Sequence, residues 1–363
     1  MEHLTSLEAM KPLAAEWNRF LERCGTDSIF LTWEYLSTWW DAFGEDYELH
    51  TLVAYGDEGE LLGIAPLVTG PGEGMGRRHL RHLSFMGAIG DSSGECEDFL
   101  VLEGREDEVV RSFCGMIFGE LASEWDVILL AMVPAESACL KVWREQLVNH
   151  GAWGVELNRY RAHYRPLPED WESYLAERSG HFRSNFRRKW KKLLKQHEVR
   201  VLEAGRDCEV EEALQWLIDL NRARWGDDGQ AFLTEQFNGF HFNLARTLHG
   251  RGWSQMSVIE VDGKPGAVCY GFAYAGKFSV LQFGWDAAYA RQSIGLLALG
   301  MGQKLAMESG LRELDLMSGG DDYKKLWATH SRELVDIEVA NPRSLWAMGF
   351  QRLRTLKNLV LPS

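Results

Sequence analysis

Residues 291–297 read RQSIGLL and follow a stretch, FGWD, that has the look of a strand end. A turn containing Gly295 that opens a helix over Ile294–Ser309 makes a site for an anion. The first amides of a helix have no carbonyl one turn back, and the helix dipole favours negative charge there. Arg291, Gln292, Ser293, Ile294 and Gly295 are therefore the candidate anion-holding residues, although an ordinary strand-to-helix turn has the same pattern. Asp286, just before the turn, is a candidate base or substrate contact. A second stretch, LDLMSGGDDYKKL (Leu314–Leu326), runs from a strand through Gly319-Gly320 into a short helix with Tyr323 and Lys324. The glycines allow a ligand close to backbone. A phenol and an ammonium stabilise a developing oxyanion or protonate a leaving group. The bland reading has Asp321 and Asp322 capping the helix and Tyr323 packing.

Two further segments carry cations. His181–Arg200 holds eight Lys/Arg and one Glu in a chain whose net charge is −14. At helical spacing, Phe182, Phe186, Trp190, Leu193 and Leu194 form an apolar stripe, with Arg183, Arg187, Lys191 and Lys195 beside it. Such a face receives phosphates, or is simply solvated and balances acidic neighbours. LNRARW ends a later helix, where Arg222, Arg224 and Trp225 line a substrate cleft, or the basic residues simply face the helix dipole.

The elements that must position these residues fall in two halves. In the first, helices are expected over Leu7–Cys24, Trp33–Phe43, Val109–Ser123 and Cys139–His150. A hairpin is expected over Leu49–Tyr55 and Leu61–Val68, with further strands at Arg78–Phe85, Asp98–Leu102 and Val127–Met132. Gly70–Gly76 reads as a loop. Two prolines in Tyr164–Asp170 mark a boundary. The second half starts with helices over Trp171–Arg178 and His181–Gln196, a strand over Glu198–Glu203, and helices over Val210–Trp225 and Thr234–His249. A meander follows: Trp253–Val261, Ala267–Tyr274 and Phe278–Trp285, turning at Asp262-Gly263 and Ala275-Gly276-Lys277. After the helix from Ile294 come a strand at Glu313–Met317, a helix at Asp321–Ala328 and a strand at Glu333–Ala340. Ser344–Val360 closes the chain as an amphipathic helix carrying Leu345, Trp346, Phe350, Leu353 and Leu356. The fold class is mixed α/β with helices on both faces of a mixed sheet. The domains expected are 1–165, 166–342 and a C-terminal helix, 343–363.

Composition narrows the function. A pI near 5.3 argues against DNA as a partner and counts against tRNA, since nucleic-acid binding needs a basic field. The six cysteines are scattered without zinc spacing, so no metal is expected. No basic-then-apolar leader and no membrane-spanning run is visible, so the cytoplasm is the expected location.

Taken in order, the motifs resemble the CelD/BcsL-like GNAT acetyltransferase family, associated with cellulose and exopolysaccharide biosynthesis and related to the FemA/FemX transferases. The resemblance rests on WEYLSTWWDAFG, GELLGIAPLV, SNFRRKWKKL, LNRARW, VDGKPGAVCYGF, FGWDAAYARQSIG and LRELDLMSGGDDYKKLW. It spans nearly the whole chain and is strongest from about residue 171 to 330. The family reads SPG where this chain reads SIG at Ser293–Gly295. The GNAT signature Q/R-x-x-G-x-G/A, which holds the CoA diphosphate, matches at Gln292 and Gly295 but meets Leu297 at its last position. The resemblance implies a GNAT fold with a degenerate GNAT-like first domain, and acetyl-CoA or another acyl-CoA as co-substrate. It does not settle the acceptor; direct transfer to a small-molecule or saccharide acceptor is the leading expectation, with Arg183, Arg187, Arg224 and Trp225 of the two cationic segments as candidate acceptor contacts. Two alternatives stay open. One is an aminoacyl-tRNA-dependent transferase of the FemA/FemX kind, in which Lys324 matches a functional lysine. The other is a non-catalytic scaffold of a polysaccharide-synthesis assembly.

Overall fold

The computed structural model describes residues 1–72, 79–88, 94–226, 234–319 and 322–349. By contact the chain divides into two units, Met1–Tyr160 with Glu333–Ser363, and Arg161–Arg332.

In chain order the first unit holds β1 (Glu2–Leu4), α1 (Leu7–Met10), α2 (Ala14–Leu21), α3 (Trp33–Phe43), β2 (Glu48–Leu49), β3 (Thr51–Tyr55), β4 (Leu61–Ala65) and β5 (Leu67–Pro71). Then come β6 (Arg81–Phe85), β7 (Leu100–Val101), α4 (Glu106–Phe118), β8 (Val127–Pro134) and α5 (Ala138–Asn149). The single helix expected over Leu7–Cys24 is broken because Pro12 cannot donate, and Lys11–Leu13 forms a 3-10 turn instead. Thr32 caps α3 as expected, accepting from Tyr35 N. One sheet runs β1-β3-β4-β7. In the other, β5 pairs β2 and β6, and β6 lies parallel to β8. The core, with Phe85, Phe99, Phe113, Trp125 and Trp143, packs α4 and α5 on these strands.

The chain leaves this unit within β9 (Gly154–Pro166), a 13-residue strand that the sequence reading did not contain. Its Arg, Tyr and His side chains give no apolar alternation to read. The second unit then holds α6 (Trp171–Glu177), α7 (Gly180–Gln196), β10 (Val199–Glu203), α8 (Val210–Trp225), α9 (Glu235–His249), β11 (Ser254–Val261), β12 (Lys264–Tyr274) and β13 (Lys277–Trp285). After it come α10 (Ile294–Glu308), β14 (Glu313–Asp315) and α11 (Asp322–Trp327). The chain returns to the first unit within β15 (His330–Ala340). Residues 334–340, assigned from sequence to the second domain, pair antiparallel with β8 in the first.

Within the second unit the sheet order is β10-β11-β12-β13-β14, with residues 164–166 of β9 antiparallel to β14. The meander turns on two residues each time. Asp262-Gly263 and Ala275-Gly276 both have φ between +46° and +74°, as a type I′ hairpin demands. Helices cover both faces. A Cβ on Gly284 would meet Leu217 of α8, while one on Gly302 of α10 would meet Cys269. Val268 pairs with Gly284 and Cys269 with Phe283, so α8 and α10 lie on opposite faces. Phe186 packs so closely on α10 that a Cβ on Gly300 would sit 2.4 Å from its ring. Trp327 of α11 packs edge-on to Phe182 at 5.3 Å. Residues 345–349 are helical, with Ser344 Oγ accepting from Ala347 N. The rest of the expected closing helix, including Phe350, Leu353 and Leu356, lies outside the described residues, as do most of the Gly70–Gly76 loop and Gly320 and Asp321.

Candidate active site

The parallel ladder between β13 and β14 is short. It pairs Lys277 with Glu313, Phe278 with Leu314 and Ser279 with Asp315, then ends. β13 continues to Trp285 against β12, with Leu281 bulged out between Val280 and Gln282. On the other side, Leu316 and Met317 stay bonded to His163 of β9. The two parallel strands therefore part beyond Ser279 and Asp315. A bulge is the usual device for turning a strand in this way, and it leaves a wedge between residues 280–285 and 316–319.

At one end of the wedge stands the N-terminus of α10. Asp286 Oδ1 accepts from Ala288 N at 2.8 Å and caps a 3-10 turn over Ala287–Gln292 that the sequence reading had not foreseen. Ser293 follows in the left-handed region (φ 56°, ψ 47°) and does not cap α10 with its side chain. Its hydroxyl instead accepts from Lys189 Nζ at 2.5 Å. Gln292 Nε2 donates to Gln196 Oε1 at 3.2 Å. Gly295 is required: a Cβ there would lie 2.8 Å from the Trp285 ring. Leu297, where the signature has a small residue, is fully buried in the core.

Trp285 joins this turn to α8. The Arg224 guanidinium lies 4.0 Å from the Trp285 ring centroid and 4.4 Å from that of Trp225. Stacking fixes its plane. Burial lowers its pKa, and among the described residues it has no carboxylate partner. Trp225 itself is 55% exposed. Two motifs separated by about seventy residues in the sequence thus meet at one place.

At the other end stand Tyr323 and Lys324 of α11. The Tyr323 ring meets Phe283 of β13 edge-on at 5.3 Å. Lys324 is 7% exposed, and its ammonium donates to Ser318 O. It also reaches Gly319, where a Cβ would lie 3.0 Å from Nζ. His163, which the sequence reading passed over, lies within the field of this lysine. Burial first, then Lys324, Lys325 and Arg161, hold its imidazole below its ordinary pKa. Nothing in the sequence pairs residue 163 with residue 324; only the β9–β14 ladder does.

The basic stripe of α7 divides by function. Arg183 donates to the carbonyls of Leu175, Ala176 and Arg178, closing the C-terminus of α6. Arg187 is exposed and paired with Glu172 at 2.7 Å. Neither lies at the wedge in its present rotamer. Lys189, on another side of the same helix, does.

Residues 180–325 match the family model described as acetyltransferase (GNAT) domain. No curated protein matches the sequence. Among solved structures, FemX superposes with a TM-score of 0.63 at 12% identity, covering 92% of this chain and 97% of that one. A tandem GNAT protein from the clavulanic acid biosynthesis pathway gives 0.52 at 10% identity, covering 94% and 99%. The C-terminal domain of a putative lysylphosphatidylglycerol synthetase from Agrobacterium fabrum gives 0.51 at 10%, covering 95% and 96%. At such identities the likeness is one of fold. The chain has the GNAT fold in a two-unit arrangement, and its second unit carries an acetyltransferase (GNAT) domain. Among the described residues no helix is long and apolar enough to cross a membrane, and no group of metal-ligating side chains is found.

Proposed function

We propose that this chain transfers an acyl group, acetyl in the simplest case, from acyl-CoA to an amine or hydroxyl of a saccharide or related small acceptor. One observation carries the reading: β13 and β14 part between a helix N-terminus suited to a diphosphate and a buried ammonium suited to an oxyanion. The residues fit such a donor. The first-turn amides of α10, with Arg291, Gln292, Ser293 and Gly295, hold its diphosphate. The acceptor's nitrogen or oxygen attacks the thioester carbon, and negative charge gathers on the carbonyl oxygen. Lys324 stabilises that charge. The C–S bond then breaks; the acceptor's own N–H or O–H proton leaves to solvent, while the thiolate takes a proton from the Tyr323 phenol, which is re-protonated from solvent. Asp286 shapes the turn by capping it, rather than acting as the base. Arg224, fixed between two indoles and without a carboxylate partner among the described residues, favours an acceptor that carries an anionic group. The exopolysaccharide setting and a cytoplasmic location rest on the sequence resemblance and on the place where acyl-CoA is made.

A second reading keeps the same carbonyl chemistry with aminoacyl-tRNA as donor, as the resemblance to FemA/FemX transferases implies. The exposed cations Arg188, Lys191, Lys192 and Lys195 of α7 favour it, and the net charge of −14 counts against it. Thiol release from acetyl-CoA, followed across a panel of amino sugars, sugar phosphates and polyols, separates the two. Acceptor-dependent release supports the acyl-CoA reading. Salt-sensitive binding of aminoacyl-tRNA with no thiol release supports the second, and neither activity with any donor leaves the scaffold reading.

A further inference from the structure

The helix α7 precedes the sheet that forms the wedge, yet it is tied to the turn before α10 twice, through Lys189 to Ser293 and Gln196 to Gln292. Lys189 is half-buried and has no carboxylate partner among the described residues. Its neighbour Arg188 is exposed and donates to Asn185. Burial and that neighbouring cation both lower the Lys189 pKa, so the charged amine sits there at a cost that an anion would reverse. The partner it does have is a neutral hydroxyl, on a residue whose left-handed backbone turns it away from capping α10. A charge-assisted bond to a phosphate oxygen is roughly twice as strong as one between neutral groups. Resting on Ser293 keeps the amine in position beforehand, which lowers the ordering cost of binding.

We propose that Lys189 is a donor-binding residue, its ammonium meeting the diphosphate of acyl-CoA at the N-terminus of α10. The proposal rests on the acyl-CoA reading above. On this account α7 is an added clamp. It supplies from a second helix a fixed charge beside a turn whose own cation, Arg291, is exposed. Leu297, buried in the core, leaves only backbone to that turn at the last signature position.

Calorimetry on the full chain tests this with CoA, 3′-dephospho-CoA and pantetheine as probes. Lys189→Gln is expected to weaken CoA and 3′-dephospho-CoA alike, by about 10- to 100-fold for a lost charged hydrogen bond, and to leave pantetheine unchanged. Lys141→Gln, which removes an exposed charge from α5 of the first unit, is expected to keep wild-type affinity. Wild-type affinity for CoA in a folded Lys189→Gln overturns the proposal while leaving the acyl-CoA reading intact. Weakening of CoA but not of 3′-dephospho-CoA moves the contact to the 3′-phosphate and overturns the diphosphate assignment. No binding of CoA by the wild type overturns both. A second measurement needs no variant: labelling of the wild type by an amine-acetylating reagent, read by mass spectrometry. CoA must protect Lys189 and not Lys141, and pantetheine must protect neither; equal labelling of Lys189 with and without CoA refutes the clamp.

Discussion

Gly295→Ala probes the junction on which the donor end of the site depends. The new Cβ would stand 2.8 Å from Cδ1 and Nε1 of Trp285 and 3.3 Å from Cε2. Ordinary contact begins near 3.4 Å, so the ring must retreat by about 0.6 Å. It has little room, because Arg224 is stacked on it at 4.0 Å and is itself held against Trp225. Overpacking of this kind costs about 1–3 kcal/mol. Part is expected as lower thermal stability. The rest is expected as weaker acetyl-CoA binding, since the strained turn carries the amides that would hold the diphosphate. The assay is calorimetric affinity beside ligand-free melting, for Gly295→Ala, Arg224→Ala and the double variant. Removing Arg224 frees the ring face that it covers, so the double variant should recover at least about 0.5 kcal/mol relative to the sum of the two singles. Strict additivity, or a Gly295→Ala protein with unchanged stability and affinity, refutes the sandwich.

Lys324→Ala is expected to lower turnover by about 10²–10³, as for loss of an oxyanion donor, while acetyl-CoA affinity changes little; equal losses in both would make the lysine a donor contact instead. The His163 imidazole should titrate below the usual histidine range by NMR, and Lys324→Ala should move it up, because that cation contributes to the depression; an unmoved titration separates the two residues. In the first unit, Glu97 is wholly buried, with neither carboxylate oxygen hydrogen-bonded among the described residues, and burial raises its pKa and lifts Asp98 to about 6. Folded-state values above the unfolded ones give stability that is full at low pH and lost as pH rises through about 6 and beyond. Glu97→Gln should therefore raise the melting temperature more at pH 8 than at pH 5, and the opposite order would contradict this burial.

Local chemistry made much of the fold legible. Asp262-Gly263 and Ala275-Gly276 announced the meander, and Thr32 marked a helix start through its own hydrogen-bonding capacity, while the break at Pro12 inside Leu7–Cys24 went unread. β9 was not legible, because its Asn, Arg, Tyr and His side chains break any apolar alternation around the buried Ala162. The return of β15 to the first unit was not legible either, since a strand's own pattern does not name its partner. At the site, the turn at Gln292–Gly295 and the Tyr323-Lys324 pair were readable as motifs. The Lys189–Ser293 contact spans 104 residues, and Arg224 on Trp285 joins the end of one helix to the end of a distant strand. Such contacts exist only after the sheet has formed. The same holds for the bulge at Leu281 that parts β13 from β14.

The most direct test of the account is the melting temperature of the purified full chain against rising acetyl-CoA. A ligand that binds only the native state stabilises it by about 2.7 kcal/mol at one hundred times its dissociation constant. The account predicts a melting temperature that climbs steadily with the logarithm of acetyl-CoA concentration, with the rise displaced to about 10- to 100-fold higher concentration in Lys189→Gln. A wild-type melting temperature that stays fixed up to millimolar acetyl-CoA would contradict it.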